Sequence, residues 1–95
     1  MNRAFEFDVT KSVANLAKHG IDFVTAQQLW EDEELIETNS RSDDEFRNIV
    51  IGVLEKKHWT AVITYRDEYI RIISVRRSRL REVALYESQR LGKRF

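Results

Sequence analysis

The chain has 95 residues, 42% hydrophobic and 34% charged, with no cysteine and no proline, which suits one small domain over residues 1–95 and excludes disulfides, thiolate metal sites and a cysteine nucleophile. Its formal net charge of zero divides unevenly, with seven Lys/Arg and twelve Asp/Glu in residues 1–65 against nine and four in residues 66–95. No apolar run approaches the roughly 20 residues of a membrane span, and Asn2 to Asp8 alternates polar with apolar residues rather than reading as a signal peptide, so a reducing cytoplasm is the expected compartment.

Phe5-Glu6-Phe7 alternates and reads as a short strand. Asp8 is a good N-cap for a helix over Val9 to His19 that places Val9, Val13, Leu16 and Ala17 on one face, and Gly20 suits the position just past its end. Asp22 caps a second helix from Phe23 to about Glu31, with Phe23, Ala26, Leu29 and Trp30 as its buried face. Leu35 and Ile36 suggest a short strand before a loop over Asn39 to Asp44. Three strands rich in β-branched residues follow, Phe46 to Leu54, His58 to Tyr65 and Tyr69 to Val75, joined by the turns Glu55-Lys56-Lys57 and Arg66-Asp67-Glu68. Ser78 is placed to cap a last helix to about Leu91, with Leu80, Val83, Ala84, Glu87 and Leu91 along one side. The order β-α-α-β-β-β-α predicts an α+β fold, an antiparallel sheet of three to four strands with helices packed on it.

The arginines of the second part invite an anion or an acidic partner. In the stretch Tyr69 to Arg77, plain alternation puts Arg71, Ile73, Val75 and Arg77 on one face and Ile70, Ile72, Ser74 and Arg76 on the other. Arg76 and Arg77 emerge beside a helix start, where free N–H groups already favour phosphate; the competing reading pairs them with the acidic segment 31–45. Arg71, between apolar neighbours, needs a carboxylate such as Glu82 or a phosphate. Lys18-His19-Gly20 offers a histidine for general acid–base work, or an ordinary helix end. His58 reads as a surface residue, and Tyr65, Tyr69 and Tyr86 as stacking or half-buried aromatics. Trp30 and Trp59 read as core. No spacing of histidines and acids suggests a metal.

Taken in order, several short pieces carry a family resemblance. They are Phe5-Glu6-Phe7-Asp8 with Lys11, Asn15 with Lys18-His19-Gly20-Ile21, Phe23 and Ala26, and Arg47 five residues before Gly52. Ile70 to Arg77, Arg81-Glu82 and Tyr86-Glu87 complete the set. The chain resembles the BrnT toxins of bacterial type II toxin–antitoxin systems from Phe5 to Glu87, with residues 91–95 a tail outside the resemblance. Family members usually carry tryptophan where Phe7 stands, and often glutamate where Phe46 stands. The resemblance implies a RelE-like fold and a metal-independent endoribonuclease that inhibits translation, with no cofactor. It also implies a BrnA-like antitoxin with a DNA-binding region, in a 2:2 complex that represses its own operon. On this reading the RNA 2′-hydroxyl attacks the phosphate. His19 serves as base or acid with Lys18 beside it, and Arg71, Arg76, Arg77 and Arg81 hold the phosphates. Glu82 is the alternative proton carrier, and Tyr65 or Tyr86 stacks on a base. The rival classes are a non-catalytic RelE-like module that grips an antitoxin or nucleic acid, and an interaction protein whose arginines and acids pair across a dimer.

Overall fold

In the computed structural model, which describes residues 4–39 and 47–92, the chain forms β1 (Ala4–Phe7), α1 (Val9–His19), α2 (Phe23–Ala26), a 3-10 helix (Gln27–Glu31), β2 (Ile36–Asn39), β3 (Arg47–Leu54), β4 (Lys57–Arg66), β5 (Tyr69–Arg77) and α3 (Leu80–Gly92). The expected strand start at Phe46, most of the loop before it and the last residues of the tail lie outside the described residues. No helix among the described residues is long and apolar enough to cross a membrane.

The class is α+β as expected, with two corrections to the sheet. It has five strands in the order β1-β5-β4-β3-β2, and it is mixed: β2, β3, β4 and β5 run antiparallel, while β1 pairs with β5 in parallel. Consecutive strands joined by short turns fold back on each other by local geometry alone. The return of β1 to β5 spans most of the chain and leaves no local signature. The helix expected from Phe23 to Glu31 tightens after Ala26 into the 3-10 segment, and Phe23, Ala26 and Leu29 are buried as expected.

The caps hold. Lys11 N–H donates to Asp8 Oδ1 at 3.2 Å, Thr25 N–H donates to Asp22 Oδ1 at 2.7 Å, and Gly20 takes the left-handed φ of 81° that closes α1. One cap differs from expectation. Ser78 Oγ bonds Thr60 Oγ1, and α3 is started instead by Glu82, which reaches back to accept from Arg79 N–H at 2.8 Å. This is the carboxylate half of a capping box.

The main core lies between one face of the sheet and the first helices: Ile21, Phe23, Ala26 and Leu29 pack on Val50, Trp59, Ala61, Ile63, Ile70, Ile72 and Val75. Helix α1 joins this layer with its polar side. Ser12 and Asn15 are buried, while Val9, Val13 and Leu16 are exposed, Val13 to 64%. Asn15 Nδ2 donates to Ile21 O at 2.8 Å and Val75 O at 2.9 Å, and Asn15 Oδ1 accepts from Val75 N–H at 3.2 Å. β1 pairs with β5 only through Ile72; beyond it the Asn15 amide bonds the strand's outward backbone groups as another strand would.

Plain alternation fails in β5 for one reason. Ile63 pairs with Ile72 but Val62 pairs with Ser74, so Ile73 is the extra residue of a β-bulge. Ile70, Ile72, Val75 and Arg77 therefore share the core face, and Arg71, Ser74 and Arg76 share the other. On that second face α3 sets Glu82 on Thr60 and buries Tyr86 beside it, rather than the expected apolar stripe. Leu80 is 90% exposed, and Leu85 and Leu91 also face solvent.

Candidate functional site

The charged residues fall into four groups, of which the second and third adjoin at Glu55, on the lining of both their clefts. The most buried is a fastener. Arg76 donates twice to Glu82, at 2.7 and 2.9 Å, and Glu82 also accepts from Thr60 Oγ1 and Arg79 N–H. Burial of Glu82 works against its charge, but this set of donors outweighs it and holds the carboxyl down at about 2. With both oxygens engaged and the proton off, Glu82 holds Arg76 and the start of α3 in place and is not a proton carrier at neutral pH. Arg71 is bound by Glu6 at 3.1 Å rather than by Glu82. Tyr65 OH donates to Glu37 at 2.7 Å on the core-face side of β4.

A second group lies where α3 crosses the ends of β3 and β4. His58 Nε2 sits 2.8 Å from Glu87 Oε2, Arg90 donates to Glu87 Oε1, and Tyr86 OH donates to Asp32 Oδ2 at 2.7 Å. The His58 and Tyr86 rings meet edge to face. His58 is thus part of an inter-element contact, not the simple surface residue expected. Burial and the neighbouring Asp32 push the Tyr86 hydroxyl well above its ordinary range, so it stays protonated. The cleft here, about 560 Å³, is lined by the carboxylates Glu31, Asp32, Glu55 and Glu87 against the single guanidinium of Arg90. An anionic ligand meets repulsion in it.

The third group has the opposite sign. A cleft of about 230 Å³ opens between the end of α1 and the tip of the β3–β4 hairpin, lined among others by His19, Glu55, Lys57, Trp59 and Arg77. Each reaches it for a local reason. Gly20 stops α1 at His19. The two-residue turn Glu55-Lys56, with φ of 52° and 68°, brings Lys57 back opposite Leu54. The bulge at Ile73 turns Arg77 onto the core face, where its guanidinium lies 5.5 Å from the centre of the Trp59 ring. Among the described residues the side chains of His19 and Lys57 have no hydrogen-bond or ion-pair partner, and the Arg77 guanidinium has only the Trp59 ring and a 3.4 Å bond to His58 O. Two permanent cations and an imidazole face one carboxylate.

The structure therefore brings His19 and Arg77 together and leaves Lys18, exposed, off the cleft lining. It separates Arg76 from Arg77, and it places Arg71, Tyr65 and Tyr86 in other contacts. Arg81, exposed on α3, is the fourth group by itself. Sequence reading missed Glu55 and Lys57, while Trp59, read as core, is buried and shows only its edge to the cleft. Among the described residues no three His, Cys, Asp or Glu side chains converge as a metal site.

A cleft lined by Lys57, Arg77 and His19 has the charge that suits an anionic ligand. The family follows from comparison: the chain belongs to the BrnT family, the ribonuclease toxins of type II toxin–antitoxin systems, whose family model matches residues 7–82. Comparison with curated proteins finds no match. Membership makes this a ribonuclease toxin at the level of the family and implies an antitoxin as its partner.

Proposed function

We propose that the chain is a metal-independent endoribonuclease that cuts RNA in the His19–Lys57–Arg77 cleft and so inhibits translation. The observation that carries this reading is electrostatic. Of the two histidines, only His19 lies in a cleft with excess positive charge, whereas His58 lies among carboxylates. Lys57 and Arg77 suit a scissile phosphate and the charge that grows on its oxygens during attack. His19 suits a proton transfer near neutral pH. His19, Lys57 and Arg77, like the rest of the cleft lining, fall within residues 7–82 of the family match. Attack by the 2′-hydroxyl forms the O2′–P bond and breaks P–O5′, leaving a 2′,3′-cyclic phosphate and a 5′-hydroxyl. Arg76 and Glu82 fasten the start of α3 rather than bind RNA, Arg71 is held by Glu6 away from the cleft, and Lys18, next to His19 in the chain, adds positive charge beside it.

A RelE-like fold, a cytoplasmic location and a BrnA-like antitoxin that forms a 2:2 operon-repressing complex are parts of the same reading. The basic, leucine-bearing outer side of α3, with Leu80, Arg81 and Leu85 exposed, supports an acidic amphipathic antitoxin segment as its cover. The test is cleavage of RNA by the purified chain with EDTA present, with the ends identified. His19→Ala is expected to lower the rate about a hundredfold or more, while His58→Ala, checked for an intact melting transition, cuts within a fewfold of the parent. Loss of cleavage in EDTA, or equal loss in both variants, overturns the reading.

A further inference from the structure

The cleft assigned to the scissile phosphate contains one acid, Glu55, which stands on the rim shared with the acidic cleft and is tied to nothing in either. Among the described residues it makes no hydrogen bond and no ion pair, and it is exposed at the first position of the β3–β4 turn. Its backbone φ is 52° and that of Lys56 is 68°, the left-handed pair of a type I′ turn that Asn-Gly fills without strain. A glutamate and a lysine there each carry a conformational cost of roughly 1 kcal/mol, so the turn itself gives no reason for a carboxylate. Strained positions of this kind gather at functional sites.

Resting on the reading that this cleft cuts RNA, we propose that Glu55 is the general base and His19 the general acid of the cleavage. The reaction moves two protons. One leaves the 2′-hydroxyl as O2′ bonds to phosphorus; the other arrives on O5′ as the P–O5′ bond breaks. The two oxygens lie roughly in line on either side of the phosphorus, so two separate carriers serve them. Of the side chains lining the cleft, only His19 and Glu55 are of the types that serve as general acid or general base in such a cleavage. Lysine and arginine remain charged, and the threonine hydroxyl remains protonated. A carboxylate is ionised at neutral pH and accepts; an imidazolium is the group that then donates. The two come from separate elements bounding the cleft, His19 from the end of α1 and Glu55 from the hairpin tip. Lys57 and Arg77 hold the phosphate. Electron pairs move from O2′ to phosphorus and from phosphorus to O5′, and the enzyme ends with the proton on Glu55 and off His19, to be exchanged through water before the next turnover.

The test uses the full chain and an RNA whose cleavage site has first been mapped with the parent. Glu55→Gln is expected to lower kcat about a hundredfold or more with KM little changed, and to remove the low-pH limb of the rate profile. His19→Ala removes the high-pH limb. An RNA with sulfur replacing the 5′-bridging oxygen at that bond has a leaving group that needs no proton, so it restores cutting by His19→Ala and not by Glu55→Gln. Glu55→Asn is expected to keep or raise Tm, by relieving the turn, while losing cleavage to the same degree; unfolding cannot produce that pair of results. If both Glu55 variants cut within threefold of the parent and keep both limbs while His19→Ala is impaired, the assignment of the base is wrong and the nuclease reading stands. If the folded parent does not cut RNA, both readings fall together.

Discussion

Asn15→Asp changes one NH2 to one oxygen in a side chain that is almost fully buried, and the bonds of that side chain set the cost. Wild-type Asn15 donates to Ile21 O and Val75 O and accepts from Val75 N–H. The aspartate keeps the acceptor and faces two carbonyls with a charge of the same sense. Each carbonyl deprived of its donor costs about 1–3 kcal/mol, so the pair amounts to about 4 kcal/mol. For a domain of this length, stable by about 5–14 kcal/mol, that is a large fraction. Burial raises the folded pKa of the new carboxyl above its unfolded value of about 3.9. The charge penalty is therefore complete above the folded pKa and fades as pH falls toward 3.9, where the protonated acid again donates to one carbonyl. Urea unfolding of both proteins at pH 7 and pH 4.5, taken as the difference at each pH, isolates this group from the other carboxylates. The expected difference is several kcal/mol at pH 7 and clearly less at pH 4.5. A difference below 1 kcal/mol at pH 7, or the same difference at both, refutes the role given to Asn15.

The remaining expectations concern other contacts. Glu82→Gln should destabilise by about 2–3 kcal/mol at pH 7 through the weakened Arg76 pair. Because the Glu82 carboxyl is lowered from 4.5 to about 2, its contribution is complete above pH 4.5 and is lost as pH falls toward 2, so acid unfolding should separate the two proteins least at the lowest pH. Val13→Ser, at an exposed position, should shift unfolding by no more than about 0.5 kcal/mol, where a core valine would cost several times that; chemical denaturation decides. Lys57→Ala and Arg77→Ala each remove one phosphate-binding cation, so each should flatten the log–log salt dependence of single-stranded RNA binding by about 0.7, measured by fluorescence anisotropy, while Arg71→Ala, with its guanidinium on Glu6, leaves the slope unchanged.

What was legible in the sequence is what short-range chemistry determines. Asp8, Gly20 and Asp22 act on backbone groups a few residues away, so their caps are visible in any reading of the chain. Strand alternation and short turns likewise expose the β3–β4–β5 meander. Periodicity shows that α1 has two unlike sides, but it does not say which one is buried; that depends on Val75 needing partners beyond the end of β1, a contact 60 residues away. The bulge is hidden for the same reason, since it exists only in the register of β5 against β4. Of the cleft, His19 and Arg77 stood out by residue type. Glu55 and Lys57 passed for the solvated charges of a turn, although Glu55-Lys56 in a two-residue hairpin loop, where asparagine and glycine are usual, is a signal that the residue types themselves carry.

The extra residue at Ile73 also makes neighbouring arginines into different parts. Arg76 is a rivet and Arg77 a free hand, although nothing in their chemistry distinguishes them; only the count of residues between them and Ile72 does. Exchanging Ile73 for another aliphatic residue leaves that count alone. Deleting it, or inserting a neighbour, shifts the strand by one place and hands each arginine the other's side of the sheet. This short stretch should therefore drift freely in spelling while holding its length, the reverse of a surface loop, and the difference between fastening the last helix and reaching into the cleft is written there as parity rather than as side chains.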